Sequence, residues 1–585
     1  MLYGNPMMKR FICLLILMSS LRIMGKTRDV TFYWVNTSDV HSSIFCYDYL
    51  KNKPTKGGLS AVYSYVENLR KEHPYHVICT DNGDCLQGQP IAYYYNFIDT
   101  LSPHLITEAM NEMKYDCGTI GNHDIETGHA VYDRWIHELN FPMLGANVID
   151  TRTNKPYLKP YQILERDGVK IAVLGMLTPA IPNWLPEIMW EGLRFEDILE
   201  SARKWVQYIQ KKENPQLIVG LFHSGLEGGI VTDKYRENVT KMVAEQVPGF
   251  DLILYGHDHT YAVNTYQNPL GEDVPVIGPT SMAARVAQAE IHLTLKGRKV
   301  VRKKIIGSTP LITGNDETNT ILFEEHFRDE RKALEDWIDL PIGEIDSTIC
   351  ERDAFFGPSH FIDMIHELQL KLTGADVSFA APLSYDSKIS TGQLSIRDMF
   401  TLYKYENFLY TMRMTGAEIK GFLEMSYALW TNQMKSPDDH IMLLDNNLNN
   451  GRRMGFKNYA FNFDSAAGIQ YTVDVTKPQG EKIHIESLAD GSPFEMNKNY
   501  KVAVNSYRGN GGGELMTKGA GIPHDQLKDR IIQSTKKDLR YYLIQYVREH
   551  KKLSPQNFHL WRYVPDEWAI PAIKRDRLLL FPDEK

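Results

Sequence analysis

Gly121-Asn122-His123-Asp124-Ile125-Glu126 follows the short apolar run Cys117-Gly118-Thr119-Ile120. A glycine, an amide, an imidazole and two carboxylates at the end of a strand are costly to bury unless hydrogen bonds or a cation satisfy them. Taken alone, the stretch also reads as a polar turn that caps a helix. Four further segments repeat its design: Asp39-Val40-His41, Gly83-Asp84, His223-Ser224-Gly225 and Gly256-His257-Asp258-His259. Each follows a run of buried-strand type, Val30 to Val35, Tyr75 to Thr80, Leu217 to Phe222 and Leu252 to Tyr255. Open α/β sheets bind ligands outside the carboxyl ends of their strands. Five such loops at one sheet edge gather Asp39, His41, Asp84, Asn122, His223, His257 and His259, a donor set for metal ions. One of these histidines by itself would read as a satisfied structural residue.

The chain has 585 residues and is 43% hydrophobic, enough for two or more domains. Its net charge of −8 comes with no basic stripe and argues against a nucleic-acid-coating surface. A small phosphorylated ligand remains compatible, because bound metal supplies local positive charge. The six cysteines show no Cys-x-x-Cys spacing, so neither a disulfide framework nor a thiolate zinc site is expected.

Lys9-Arg10 and the apolar run Phe11 to Met18 have the form of a secretory signal peptide over 1–25, although Arg22 interrupts its end. The run is too short to span a bilayer comfortably. The expectation is an exported protein, periplasmic or extracellular, with no stable membrane span. A tethered or disordered tail is the alternative.

Strands and helices alternate through 27–315, with helices over Leu59 to Lys71, Ile91 to Leu101 and Phe195 to Lys211 and a central strand Val169 to Leu177. Strands over Val274 to Gly278, Ser281 to Gln288 and Ala289 to Thr294 close this domain. The charged segment 316–340 reads as a bridging helix, and an ordinary surface helix fits its pattern too. A second α+β region spans 341–551, with helices at Ser359 to Thr373 and Gly416 to Tyr427. Its strands are Val377 to Ala381, Leu409 to Met414, Gly468 to Val475 and Tyr500 to Asn505. The Pro- and Trp-rich tail 552–585 has no place in either pattern.

Two divalent cations about 3.5–4 Å apart clamp the attacking and leaving oxygens of a phosphoryl displacement. Carboxylate, imidazole and amide donors suit zinc, manganese, iron or similar ions. Asp84, central in the order, is the candidate bridge, and water made acidic by the metals is the candidate nucleophile. His123 is then left to protonate the leaving alkoxide, with Glu126 three residues on to fix its tautomer.

The words TSDVHS, DNGDCLQGQP, GNHDIE, HSGLEGG and YGHDHT, in this order, resemble the calcineurin-like metallophosphoesterases. More narrowly, they resemble the secreted 5′-nucleotidase and 2′,3′-cyclic-nucleotide phosphodiesterase/3′-nucleotidase family. The resemblance implies an N-terminal metallophosphoesterase sandwich of α/β class and a smaller α+β C-terminal nucleotidase domain. It implies Asp39, His41, Asp84 and His259 around one metal, and Asp84, Asn122, His223 and His257 around the other. It also implies a dyad of His123 with a downstream acid, and rotation of the C-terminal domain to deliver substrate. Family members commonly carry Asp where this chain has Glu126, so Asp124 is a second candidate for that acid.

The Gly-rich stretch Val504 to Gly513 embeds Tyr507, and Leu402 to Asn407 embeds Tyr405. Either tyrosine is compatible with a core position. As a stacking face each is worth about 1–3 kcal/mol per base. The resemblance implies that Tyr405 and Tyr507 sandwich a nucleobase, with Asn407 and Asn505 nearby and Glu514 toward the ribose. The 5′-nucleotidase branch typically has a Gly-Gly-x-Arg element that holds phosphate. Here the corresponding stretch Ser378 to Gly392 (SFAAPLSYDSKISTG) lacks it, leaving phosphate to the metals and to Lys388 or Arg508. SFAAPL and YKYENFLY look more like the cyclic-phosphodiesterase/3′-nucleotidase branch. The expected activity is therefore hydrolysis of 2′,3′-cyclic and 3′-nucleotides, with a small-molecule nucleotide as partner. A 5′-nucleotidase, a hydrolase of nucleotide sugars or sulfur esters, and a non-catalytic secreted nucleotide-binding protein are the alternatives.

Overall fold

The structure, a computed structural model, describes residues 27–314, 317–448 and 453–584. The expected signal peptide lies outside these residues. The chain forms two compact units. One comprises the chain up to Asp48, Lys53–Ala180 and Gly192–Phe327; the other comprises Tyr49–Asn52, Ile181–Glu191 and the chain from Arg328 onward.

The first unit is built on two six-stranded sheets. In one, Thr27–Thr37, Val77–Asp81, Cys117–Thr119 and Met143–Leu144 run parallel, and Ala287–Lys296 and Lys299–Ser308 close the edge antiparallel. In the other, Val169–Leu177, Leu217–His223, Leu252–Tyr255 and Asp273–Pro279 run parallel, with antiparallel strands at both edges. The central strands Leu217–His223 and Leu252–Tyr255 are buried along their whole length and read as nearly continuous apolar runs, because both of their faces are covered. Between the sheets Phe32, Trp34 and Ile78 meet Ile171, Val219 and Leu254 in one core. On the outer face of the second sheet, helix Ile198–Glu213 buries Ala202, Val206 and Ile209 against Leu174 and Phe222. Asp197 starts that helix by accepting the Glu200 N–H, three residues later than the sequence reading placed it.

Two other expectations fail locally. The expected strand from Ser281 is a turn as far as Val286, where Met282 and Ala283 adopt positive φ. The expected single bridging helix is two helices, Thr318–His326 and Arg328–Ile338, broken at buried Phe327. Phe327 turns onto Phe323 (ring centroids 5.0 Å apart), and the boundary between the units falls there. Glu324 of the first helix accepts the Cys46 N–H and the Ser60 hydroxyl, both at 2.8 Å, whereas Trp337 of the second packs edge-on to Phe400.

The second unit centres on a five-stranded sheet ordered Ser465–Ala467, Val377–Ala380, Asn499–Asn505, Leu409–Thr415, Ile531–Ser534. Helix Gly416–Trp430 lies on it, stacking Phe422 on Phe379 with centroids 4.0 Å apart. The tail without a place in the sequence pattern is an integral part of this core. Trp561–Val564 pairs parallel with Ile469–Asp474, and helix Asp566–Leu580 buries Ala569, Ala572 and Leu580.

Candidate active site

The polar loops all leave the carboxyl ends of parallel strands in the first unit. Asp39 and His41 follow Thr27–Thr37, Asp84 follows Val77–Asp81, and Asn122 opens a short helix just past Cys117–Thr119. His223 ends its own strand, and His257 and His259 follow Leu252–Tyr255. Two glycines are required by close approach. A Cβ on Gly121 would lie 2.1 Å from Asp84 Oδ1, and one on Gly256 would lie 1.8 Å from the Ser38 hydroxyl.

The side chains close into two groups, Asp39 with His41 and His259, and Asp84 with His223 and His257; within each, donor atoms lie within 4.8 Å of one another. In the first, His41 Nε2 and His259 Nε2 face each other at 3.0 Å, and Asp39 Oδ1 is 3.4 Å from His259 Nε2. His41 uses Nδ1 on the Gln87 carbonyl, so its Nε2 points inward. In the second, His223 Nε2 is 3.1 Å from Asp84 Oδ2 and 3.0 Å from Asn122 Oδ1, while its Nδ1 bonds the Asn82 carbonyl at 2.6 Å. Imidazole nitrogens and carboxylate oxygens converging in a buried site, with the outer ring nitrogens of His41 and His223 held by main-chain carbonyls, fit a pair of borderline divalent ions. Asp84 sits in the second group, and its Oδ1 accepts the His123 N–H at 2.7 Å.

His123 and the two acids after it separate cleanly. Glu126 Oε2 lies 2.5 Å from His123 Nδ1. Asp124 instead accepts four backbone N–H bonds, from Asp84, Cys85, Leu86 and Gly121, and thereby ties the Asp84 loop to the Gly121 loop. Burial and the Asp84 charge raise its carboxyl to about 6. Burial opposes charge throughout the centre. It pushes His41 down to about 3, helped by the His259 charge. It also works against His223, yet the Asp84 carboxylate lifts that imidazole to about 9. Asp84, disfavoured as an anion by burial, is held well below the usual carboxylate range by His223 and His123.

In the second unit, the loop entering Leu409–Thr415 and the loop leaving Asn499–Asn505 are neighbours, because Leu409 pairs with Asn505. Tyr405 and Tyr507 therefore share one sheet edge. The ring packed beside Tyr507, however, is Phe461, edge-on with centroids 6.3 Å apart. Tyr405 carries the Lys404 ammonium over its face. Phe461 escaped the sequence reading, although three aromatics within Tyr459–Phe463 ahead of a short strand were the available signal. Asn407 hydrogen-bonds the Tyr403 hydroxyl, and Asn505 caps the following turn through the Arg508 N–H. Glu514 is paired with Lys518 on the surface.

Arg508 stands apart from the phosphate contact expected of it. Its guanidinium is buried and engaged by Asp464 at 2.8 Å, Asn462 and the carbonyls of Phe461 and Gly512. An arginine in a Gly-rich turn reads as a ligand contact, but here it bolts the 506–514 turn to the 460–464 turn. Beneath the Ser378–Gly392 stretch lies the buried carboxylate of Glu351, which accepts the N–H groups of Leu383, Ser384 and Ser387.

Face-to-face sheets bearing histidine, aspartate and asparagine at their carboxyl ends are the setting of a metal-dependent phosphoester hydrolase. Residues 35–261 match the calcineurin-like phosphoesterase family model, and residues 341–519 match the 5′-nucleotidase C-terminal domain. The chain thus joins a calcineurin-like phosphoesterase domain to a 5′-nucleotidase C-terminal domain. It is 28% identical to the trifunctional nucleotide phosphoesterase protein YfkN of Bacillus subtilis over 90% of its length, but spans only 38% of that protein. It is 26% identical to the 2′,3′-cyclic-nucleotide 2′-phosphodiesterase/3′-nucleotidase of Yersinia enterocolitica, covering 96% of this chain and 92% of that one. A Staphylococcus aureus protein provisionally named a 5′-nucleotidase, solved with alpha-ketoglutarate, has the same fold. That match has a TM-score of 0.75 at 22% identity and covers 91% of this chain and all of that one.

Proposed function

We propose that the chain is an exported 2′,3′-cyclic-nucleotide phosphodiesterase/3′-nucleotidase. Asp39, His41, Asp84 and His259 would hold one divalent ion, and Asp84, Asn122, His223 and His257 would hold the other. When bound, the two ions supply Lewis acidity, polarising a phosphoryl oxygen and making water a stronger nucleophile. His123 gives its Nε2 proton to the departing ribose oxygen, while Glu126 receives the Nδ1–H bond and stabilises the imidazolium beforehand. Asp124 keeps the Asp84 and Gly121 loops in register. Tyr507 and Phe461 offer the faces for a base, and Arg508 holds the turn that carries Tyr507.

The observation that carries the choice of branch is the Ser378–Gly392 stretch. Where the 5′-nucleotidase branch places arginines for phosphate, this chain has none and gathers the loop on the Glu351 anion. A buried carboxylate there disfavours a second phosphate cradle. The relative from Yersinia, matched over nearly its full length, carries the same activity in its name. Export rests on the basic and apolar stretch at Lys9 to Met18.

The test is phosphate release by the purified protein with manganese or zinc from 2′,3′-cyclic AMP, 3′-AMP and 5′-AMP in parallel, with alkaline phosphatase added where the cyclic ester only opens. Opening of the cyclic ester together with 3′-AMP hydrolysis is the expected result. Activity confined to 5′-AMP overturns the choice of branch, and silence on all three overturns the nucleotide substrate.

A further inference from the structure

The histidines of the metal centre differ in what holds their outer nitrogen. His41 and His223 each rest on a backbone carbonyl, of Gln87 and Asn82. His257 instead gives its Nε2–H to a carboxylate, Glu237 Oε1 at 2.9 Å, so in its group with Asp84 and His223 the nitrogen that would serve a metal is Nδ1. Glu237 lies in the hairpin of Gly228–Val231 and Arg236–Asn238, which belongs to neither six-stranded sheet.

We infer that Glu237 is a positioning residue for the second metal, setting the tautomer and orientation of His257. Three further bonds fix it for that task. Its Oε2 accepts the Ile230 N–H at 2.7 Å, so the carboxylate is oriented by the opposite strand of its own hairpin. Its main-chain carbonyl accepts the hydroxyls of Ser224, at 2.8 Å, and Thr178. Ser224 directly follows His223, so one residue steadies two histidines of the same group, at the ends of the two neighbouring strands Leu217–His223 and Leu252–Tyr255. A carboxylate on the far nitrogen also makes an imidazole a stronger donor than a carbonyl does. In the sequence, Glu237 sits in a charged loop with no strand or glycine to mark it.

This inference rests on the two-metal reading of the site, and its test reads metal binding in the absence of any substrate. Metal-stripped full-length protein is titrated calorimetrically with Mn2+, and its melting temperature without metal is followed alongside. In Glu237→Ala, one of the two Mn2+ equivalents weakens about 10–100-fold and the other keeps its affinity. Glu237→Asp recovers part of the loss, and Glu237→Gln, which keeps an acceptor without charge, falls between. The melting temperature without metal stays within a few degrees of the parent. Two unchanged equivalents in Glu237→Ala overturn the inference. Equal weakening of both equivalents with a drop in melting temperature overturns it too, because the residue would then only support its hairpin. A chain that binds both ions yet hydrolyses no nucleotide leaves Glu237 in place and removes only the proposed substrate.

Discussion

Glu126→Gln isolates the charge behind His123 while preserving its shape. In the parent, Glu126 Oε2 and His123 Nδ1 are 2.5 Å apart, and their side chains are only 12% and 28% exposed. Unit charges with centres about 4 Å apart attract by about 4 kcal/mol at an effective dielectric near 20. Solvent at the partly open imidazole screens about half of that, leaving about 2 kcal/mol for stabilising the imidazolium. If that form is the acid that protonates the leaving oxygen, kcat falls about 30-fold. The assay compares two substrates under saturating Mn2+. A nucleotide leaves as an alkoxide and needs the proton, whereas bis-p-nitrophenyl phosphate expels a stable phenolate and does not. The loss should fall on the nucleotide and largely spare the nitrophenyl ester. Glu126→Asp, which keeps the charge, should lie between parent and Glu126→Gln. Equal losses on both substrates, or none on the nucleotide, would refute an acid role for His123 assisted by Glu126.

Arg508→Met leaves Asp464 as an unpaired buried charge and should lower stability to urea by about 3–5 kcal/mol, with nitrophenyl ester turnover intact below the melting transition. A selective loss of nucleotide turnover at unchanged stability would restore Arg508 as a phosphate contact. Phe461→Ala should raise KM for the nucleotide about tenfold by removing a stacking face, and Tyr405→Ala should raise it less; the reverse order would return the base to Tyr405. Burial raises the Asp363 carboxyl from its ordinary 3.8 to about 6, so between these values the folded chain holds a proton that the unfolded chain has lost. The contribution is whole below the unfolded value and lost as pH climbs through about 6. Asp363→Asn, still able to accept the Phe558 N–H, should therefore stabilise the chain by about 1–3 kcal/mol at pH 7 and hardly at all at pH 4, read from chemical denaturation at both values.

The metal centre was legible because its residues are bunched in sequence directly behind strands, and a strand end fixes where the next two or three side chains go. Val169–Leu177 appears as read, since the unbroken apolar run from Ile171 to Leu177 ahead of a turn has no competing period. Legibility failed where a role depends on packing between distant segments. Glu237 meets His257 across twenty residues, Glu351 meets a loop over thirty residues on, and the tail strand Trp561–Val564 finds its place by pairing with the distant Ile469–Asp474. Arg508 shows the same limit from the other side. Its chemistry suggested an anion, and it found one in Asp464 rather than in a ligand. The helix break at Phe327 was hidden because its apolar spacing continues through it.

The backbone of the metal loops turns left-handed at Asp39 (φ 51°), His41 (49°), Asp84 (59°), His257 (80°) and His259 (54°). Such conformations disfavour side chains in general but are tolerated best by Asn, Asp and His, the residue types that also bind metal. An alanine scan of this centre therefore measures two things at once. It deletes a donor and leaves a β-carbon, now without a polar group to compensate, where the main chain resists it by about 1 kcal/mol. Glycine deletes the same donor and relaxes the turn, so the alanine-minus-glycine difference at each position separates coordination from geometry. At Asn122 and His223, whose backbones are helical and extended, glycine gains no such relief, and these two positions calibrate the comparison.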